Sequence, residues 1–227
     1  MKLDTVESVR QFDERLRGIV GGDPFHVNLE KTWKACQGHP SGNRLFPAVL
    51  DIQLHVACLN VEIIAIAKRI TKDLHESRDA DCLVEDDEFA ARMDLFGNTT
   101  AFVLRYRALW DKLMGVVVLL LEPKEYEKFV EAKSRKKFFV KRLKARGGKW
   151  PLYAQKVSET IEIFDSRFRT AEAHGSGKMR KLVFSRVTAD INPLEDLFWA
   201  CNSLNDQLIM LQQIFDHLAE KVVMAVK

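Results

Sequence analysis

The sequence predicts an all-α protein, a single-domain bundle of about six or seven helices, on three observations. Glycine and proline, at 11 and 6 in 227 residues, gather in a few places and leave long stretches without a breaker. Apolar residues in those stretches recur at spacings of 3 and 4. No stretch alternates apolar and polar residues as a half-buried strand would.

The elements follow in chain order. Leu3 to Arg17 carries a short helical pattern. Pro47 to His75 has no further Pro or Gly, and Ile52, Val56, Leu59, Ile63, Ile66, Ile70 and Leu74 form one apolar stripe. Pro47 suits a first helical turn, where its missing N–H costs nothing. After Asn98 the stripe Phe102, Tyr106, Leu109, Leu113, Val116 and Leu120 predicts a second core helix ending near Pro123.

Lys124 to Arg146 is helical with a break near Ser134, Gly147-Gly148 is a stop, and Pro151 to about His174 is the next helix. Lys181 to Val187 is too short and isolated for a sheet and is assigned as a helical turn or irregular linker. Asn192, Pro193 and Glu195 form a start resembling a capping box. From there Leu194, Leu197, Cys201, Leu204, Leu208, Leu211, Phe215, Leu218 and Val222 make a seam suited to shallow-angle packing in a bundle or a dimer.

Composition excludes several classes. An apolar fraction of 47% argues against disorder, and 227 residues suffice for a real core. Cysteines at 36, 58, 82 and 201 make no Cys-x-x-Cys pair, which predicts free thiols in a reducing cytoplasm. Cys36 and Cys201 fall on apolar stripes, where a free cysteine is usually core. The first residues lack the apolar core of an export signal. The longest strongly apolar run, Gly115 to Leu121, is far short of the roughly 20 residues that span a bilayer. No membrane association is expected.

The net charge of +3 hides two opposed segments. From Asp73 to Asp94 nine acids face two bases, and from Lys124 to Lys149 eleven bases face three acids. The basic segment either attracts phosphate backbones or is a solvated face, alone or paired with the acidic segment of the same or another subunit. Tyr126, Phe129, Phe138 and Phe139 within it suit core packing better than base stacking.

Motif chemistry is sparse. The six histidines form no His-Glu-x-x-His, Gly175-Ser-Gly177 lacks the spacing of a nucleotide loop, and there is no Gly-x-Ser-x-Gly elbow. No metal or other cofactor is expected. What remains is Asp165-Ser-Arg-Phe-Arg-Thr-Ala-Glu-Ala-His-Gly-Ser-Gly177, an arginine-rich helix end running into a histidine and two glycines. Free backbone groups and cations meet there, which suits an anion. On an ideal helix Arg167 and His174 share a face, while Arg169 and His174 lie about 140° apart. The alternative is structural, with Arg169 and His174 capping helices or pairing with Glu172 and Asp165. Asp111 either orients one of these arginines or is an i, i+4 partner of Arg107.

Phe168-Arg-Thr-Ala-Glu-Ala-His-Gly175 resembles the HEPN (higher eukaryotes and prokaryotes nucleotide-binding) domains, helical bundles marked by an arginine, four to six residues and a histidine. It is similar to bacterial-type members of that group. Arg69 to His75 fits the same spacing inside a predicted core helix. The resemblance covers roughly residues 98–227 of a helical domain spanning 1–227. The position after the arginine, often an amide or an acid in the family, is Thr170 here.

The resemblance implies a homodimer that brings two motifs together and cleaves RNA without metal, in a toxin, defence or RNA-processing role. Arg169 and His174 would be catalytic, with Arg167, Lys178, Arg180 and Lys181 holding RNA, and an antitoxin or other protein partner is possible. A non-catalytic bundle that binds a nucleotide, nucleic acid or protein is the alternative.

Overall fold

The computed structural model describes residues 29–76, 85–170 and 213. These are mostly helical, joined by short turns, in an all-α bundle with no strand among the described residues. Six α-helices are described: α1 Leu29–Gln37, α2 Gly42–Glu76, α3 Glu85–Leu121, α4 Tyr126–Glu131, α5 Arg135–Arg146 and α6 Trp150–Phe164. A 3-10 turn, Pro123–Glu125, leads into α4, and a π-helical turn, Asp165–Arg169, follows α6. The expected helix at Leu3–Arg17 and the Lys181–Val187 linker lie outside the described residues, as does Asn192–Val222 apart from Gln213, which is helical. No described helix is long and apolar enough to cross a membrane.

The chain groups into two compact units. In the unit holding Phe25–Val56 and Arg107–Ile163, the core is written by the stripes the sequence displays. Leu45, Val49, Ile52 and Val56 of α2 are buried, as are Leu109, Trp110 and Leu113 of α3. The following run, Val116 to Leu120, is buried on all sides, which is why it is continuously apolar. Phe129, Phe139, Leu143, Ala154, Val157 and Ile161 complete it, confirming Phe129 and Phe139 as core residues.

Local signals set the breaks. Ser134 caps α5, its side-chain oxygen accepting the Lys137 N–H at 3.4 Å. Gly147 ends α5 at φ +74°, a left-handed conformation that a Cβ disfavours. Arg142 closes the turn between α3 and α4 by donating from Nε to Glu122 at 2.7 Å.

In the unit holding Ala57–Tyr106 and Phe164–Asn202, the described core is Leu59 and Ile66 of α2, Leu95, Phe102, Val103 and Tyr106 of α3, and Phe164 with Phe168. Its rings form a chain. Phe102 stacks on Tyr106 at 6.0 Å, Tyr106 meets Phe164 at 4.1 Å, and Phe164 meets Phe168 at 5.1 Å between centroids.

Two helices begin earlier than the punctuation suggests. α2 starts at Gly42, because the Ser41 carbonyl accepts the N–H groups of Arg44 and Leu45 and buries Leu45. Pro47 therefore sits inside the helix, on an exposed face, rather than in its first turn. Gly42 itself is required, since a Cβ there would overlap the Cys36 backbone carbonyl. α3 starts at Glu85 and runs through Gly97 and Asn98. A helical glycine costs about 1 kcal/mol, less than the burial of Leu95 and Phe102 on either side contributes.

Candidate functional site

The candidate site begins where α6 stops being an α-helix. Ala154, Val157, Ile161, Phe164 and Phe168 are all buried, at spacings of 3, 4, 3 and 4. Between Asp165 and Arg169 the backbone widens, and the Thr170 N–H donates to the Asp165 carbonyl five residues back. Such π turns are rare and recur at functional sites. This one carries the arginines at the head of the Arg-x4-His motif.

Phe168 anchors the turn, fully buried against Phe164. Ser166, Arg167, Arg169 and Thr170 are exposed around it. The Arg169 side chain is 54% exposed, and its guanidinium lies 3.8 Å from the Asp165 carboxylate, longer than a hydrogen bond. An exposed pair this loose holds its arginine by less than about 1 kcal/mol. Among the described residues the Arg169 guanidinium has this one ionic neighbour and faces solvent.

Arg167 and Arg169 thus share one turn. His174, Lys178, Arg180 and Lys181 lie outside the described residues. The angles expected from 100° per residue do not carry across this turn, because its hydrogen bonds span five residues instead of four.

Asp111 is the i, i+4 partner of Arg107, at 2.7 Å, and lies 4.0 Å from Arg135. Cys36 is buried, as its stripe predicts, and burial pushes its thiol up. Among the described residues no group of His, Cys, Asp and Glu is arranged to hold a metal ion.

Three polar arrangements escape a reading by motif. Glu62 is buried between Leu59 and Ile66 on the α2 stripe, where Arg105 Nε donates to its Oε1 at 2.7 Å. Its Oε2 is buried without a hydrogen bond. The signal was a carboxylate at an apolar register position. Asp51 accepts from Lys112, while its own carbonyl accepts from His55 Nδ1 at 2.9 Å. The basic segment, finally, pairs with acids just after α3 and on α6, Arg142 with Glu122 and Lys136 with Glu162.

Comparison of the chain with protein-family models, with curated proteins and with solved structures finds no match.

Proposed function

We propose that this protein is a HEPN-like, metal-independent endoribonuclease of toxin, defence or RNA-processing type, acting through Arg169 and His174. The observation that supports it is the π turn Asp165–Arg169, which opens the Arg-x4-His motif with a weakly held, solvent-facing arginine.

In this reading His174 takes the proton from a ribose 2′-hydroxyl, its ordinary pKa lying near neutrality. The 2′-oxygen attacks the adjacent phosphorus, the bond to the 5′-oxygen breaks, and that oxygen takes a proton from water, while protonated His174 returns its own to solvent. A 2′,3′-cyclic phosphate results, and DNA resists because it lacks the attacking hydroxyl. Arg169 stabilises the charge that builds on the phosphate oxygens, with Arg167 beside it on the same turn. Lys178, Arg180 and Lys181 follow the motif as further phosphate contacts, and two copies of the chain would bring two motifs together.

The test is cleavage of a mixed RNA pool in EDTA by the wild type, Arg169→Ala and His174→Ala, each checked by circular dichroism. Cleavage by the wild type, lost in both variants without loss of helicity, supports the reading. An inactive wild type, or active variants, overturns it. Thr170, standing where the family often has an amide or acid, favours a second reading: a non-catalytic HEPN-like module that keeps the bundle and binds a nucleotide, nucleic acid or protein. Dimerisation without turnover supports that one.

A further inference from the structure

The bases of α5 divide by face. At 100° per residue, Arg135, Arg142 and Arg146 fall within about 40° of one another, on the side that carries buried Phe139. Lys137, Lys141 and Lys144 fall within about 60° of one another on the opposite side.

The arginines are engaged by the fold. Arg142 donates to Glu122 at 2.7 Å and lies 3.5 Å from Glu125, Arg146 donates to the Leu121 carbonyl at 3.1 Å, and Arg135 donates to the Val130 carbonyl at 3.3 Å. Lys136, on the flank, is held by Glu162 at 2.9 Å. None of these acids belongs to the Asp73 to Asp94 segment.

The three lysines differ. Each is exposed, and none has a carboxylate partner among the described residues. α5 contains no acid, so nothing on its own surface offsets them. Exposed Lys133 stands just before the helix. From Lys137 to Lys144 the row is about 10 Å long at 1.5 Å per residue.

We propose that the Lys137, Lys141 and Lys144 face of α5 binds the sugar–phosphate backbone of nucleic acid without reading its sequence. Lysines are flexible point charges suited to phosphate, and neutralising phosphates releases condensed counterions. The face has no means of base readout: the arginine forks are turned away, and Phe138 and Phe139 pack on Phe129 and Tyr153. It also lacks the exposed large apolar residues with which an amphipathic helix enters a membrane. The inference does not depend on cleavage at the Arg169 turn.

The test uses the 227-residue chain in a His174→Ala background, so that any cleavage through His174 is removed and binding alone is read. Fluorescence anisotropy of a labelled single-stranded RNA is followed between about 50 and 200 mM salt. Lys137→Gln, Lys141→Gln and Lys144→Gln together are compared with a control removing the same charge elsewhere, Lys124→Gln, Lys149→Gln and Lys156→Gln. Circular dichroism and urea midpoints establish that both triple variants fold.

At low salt the face variant is expected to bind at least about tenfold more weakly, with the log–log salt slope reduced by about 2, three contacts at about 0.7 each on a single strand. The control should stay within about threefold of the parent. No RNA binding by the parent at low salt, unchanged binding by the face variant, or an equal loss in the control overturns the proposal. So does lysine-dependent binding to phosphatidylserine vesicles without binding to RNA.

Discussion

His39 ties the turn after α1 to the end of α3: its Nε2–H donates to the Leu120 carbonyl at 3.1 Å, 81 residues away. The tautomer follows from the other side of the ring, where Nδ1 accepts the Ser41 N–H at 3.0 Å. The imidazole thereby satisfies a donor before α2 and an acceptor in α3's last turn, groups that helix ends leave open. His39→Ala removes both partners. Chemical unfolding in urea should show a loss of about 1–3 kcal/mol with the m-value unchanged. A variant as stable as the parent would show that water replaces the ring at no cost.

Arg105 and Glu62 form a half-buried ion pair. Their hydrogen bond, first among the causes, raises the Arg105 guanidinium further above its ordinary value. Arg105→Met leaves Glu62 buried and uncompensated, at an expected cost of about 3 kcal/mol, while Arg105→Met with Glu62→Leu should recover most of it. Thermal melts of the two variants check this. Equal losses in both would mean that the pair acts through packing rather than charge.

Glu162 has its carboxyl held below its ordinary value of 4.5, first by the Lys136 hydrogen bond and then by that of Ser158. Because the folded-state value is depressed, its small stabilising contribution is present above the unfolded value and is lost as pH falls through the folded one. Titration followed by carboxyl carbon NMR should place the Glu162 midpoint below the ordinary value, and Lys136→Gln should move it upward. A midpoint indifferent to that substitution would remove Lys136 as the cause.

Cys36 and Cys58 separate by burial. Cys36 is buried and its thiol pushed up, whereas Cys58 is exposed. Brief alkylation of the native protein, read by peptide mass mapping, should modify Cys58 well before Cys36, with Cys36 reacting only once the protein unfolds. Comparable labelling in the native state would contradict the burial.

What the sequence made legible is what depends on near neighbours. Ser134 and Gly147 read as a cap and a stop because capping is settled within a few residues. The buried stripes were visible because helical spacing is local. The early starts of α2 and α3 were hidden, since Pro47 and Gly97 look like boundaries until the burial of Leu45 and Leu95 outweighs them. The site was legible only as a motif. Its π turn is tied to packing of Phe164 on Tyr106, 58 residues distant, and neither spacing nor propensity displays that contact. Similarly, the bonds from α5 to Glu122 and Glu162 span 20 and 26 residues, so the basic run looked uniform.

The widened turn after α6 also acts as a phase shifter. Deleting Ser166 would return the backbone to four-residue closure and place Phe168 three residues after Phe164 instead of four. The same deletion would pull Phe168 off its buried position beside Phe164. The burial of Phe168, with Arg167 and Arg169 left at the surface on either side of it, therefore depends on the residue count of a single turn.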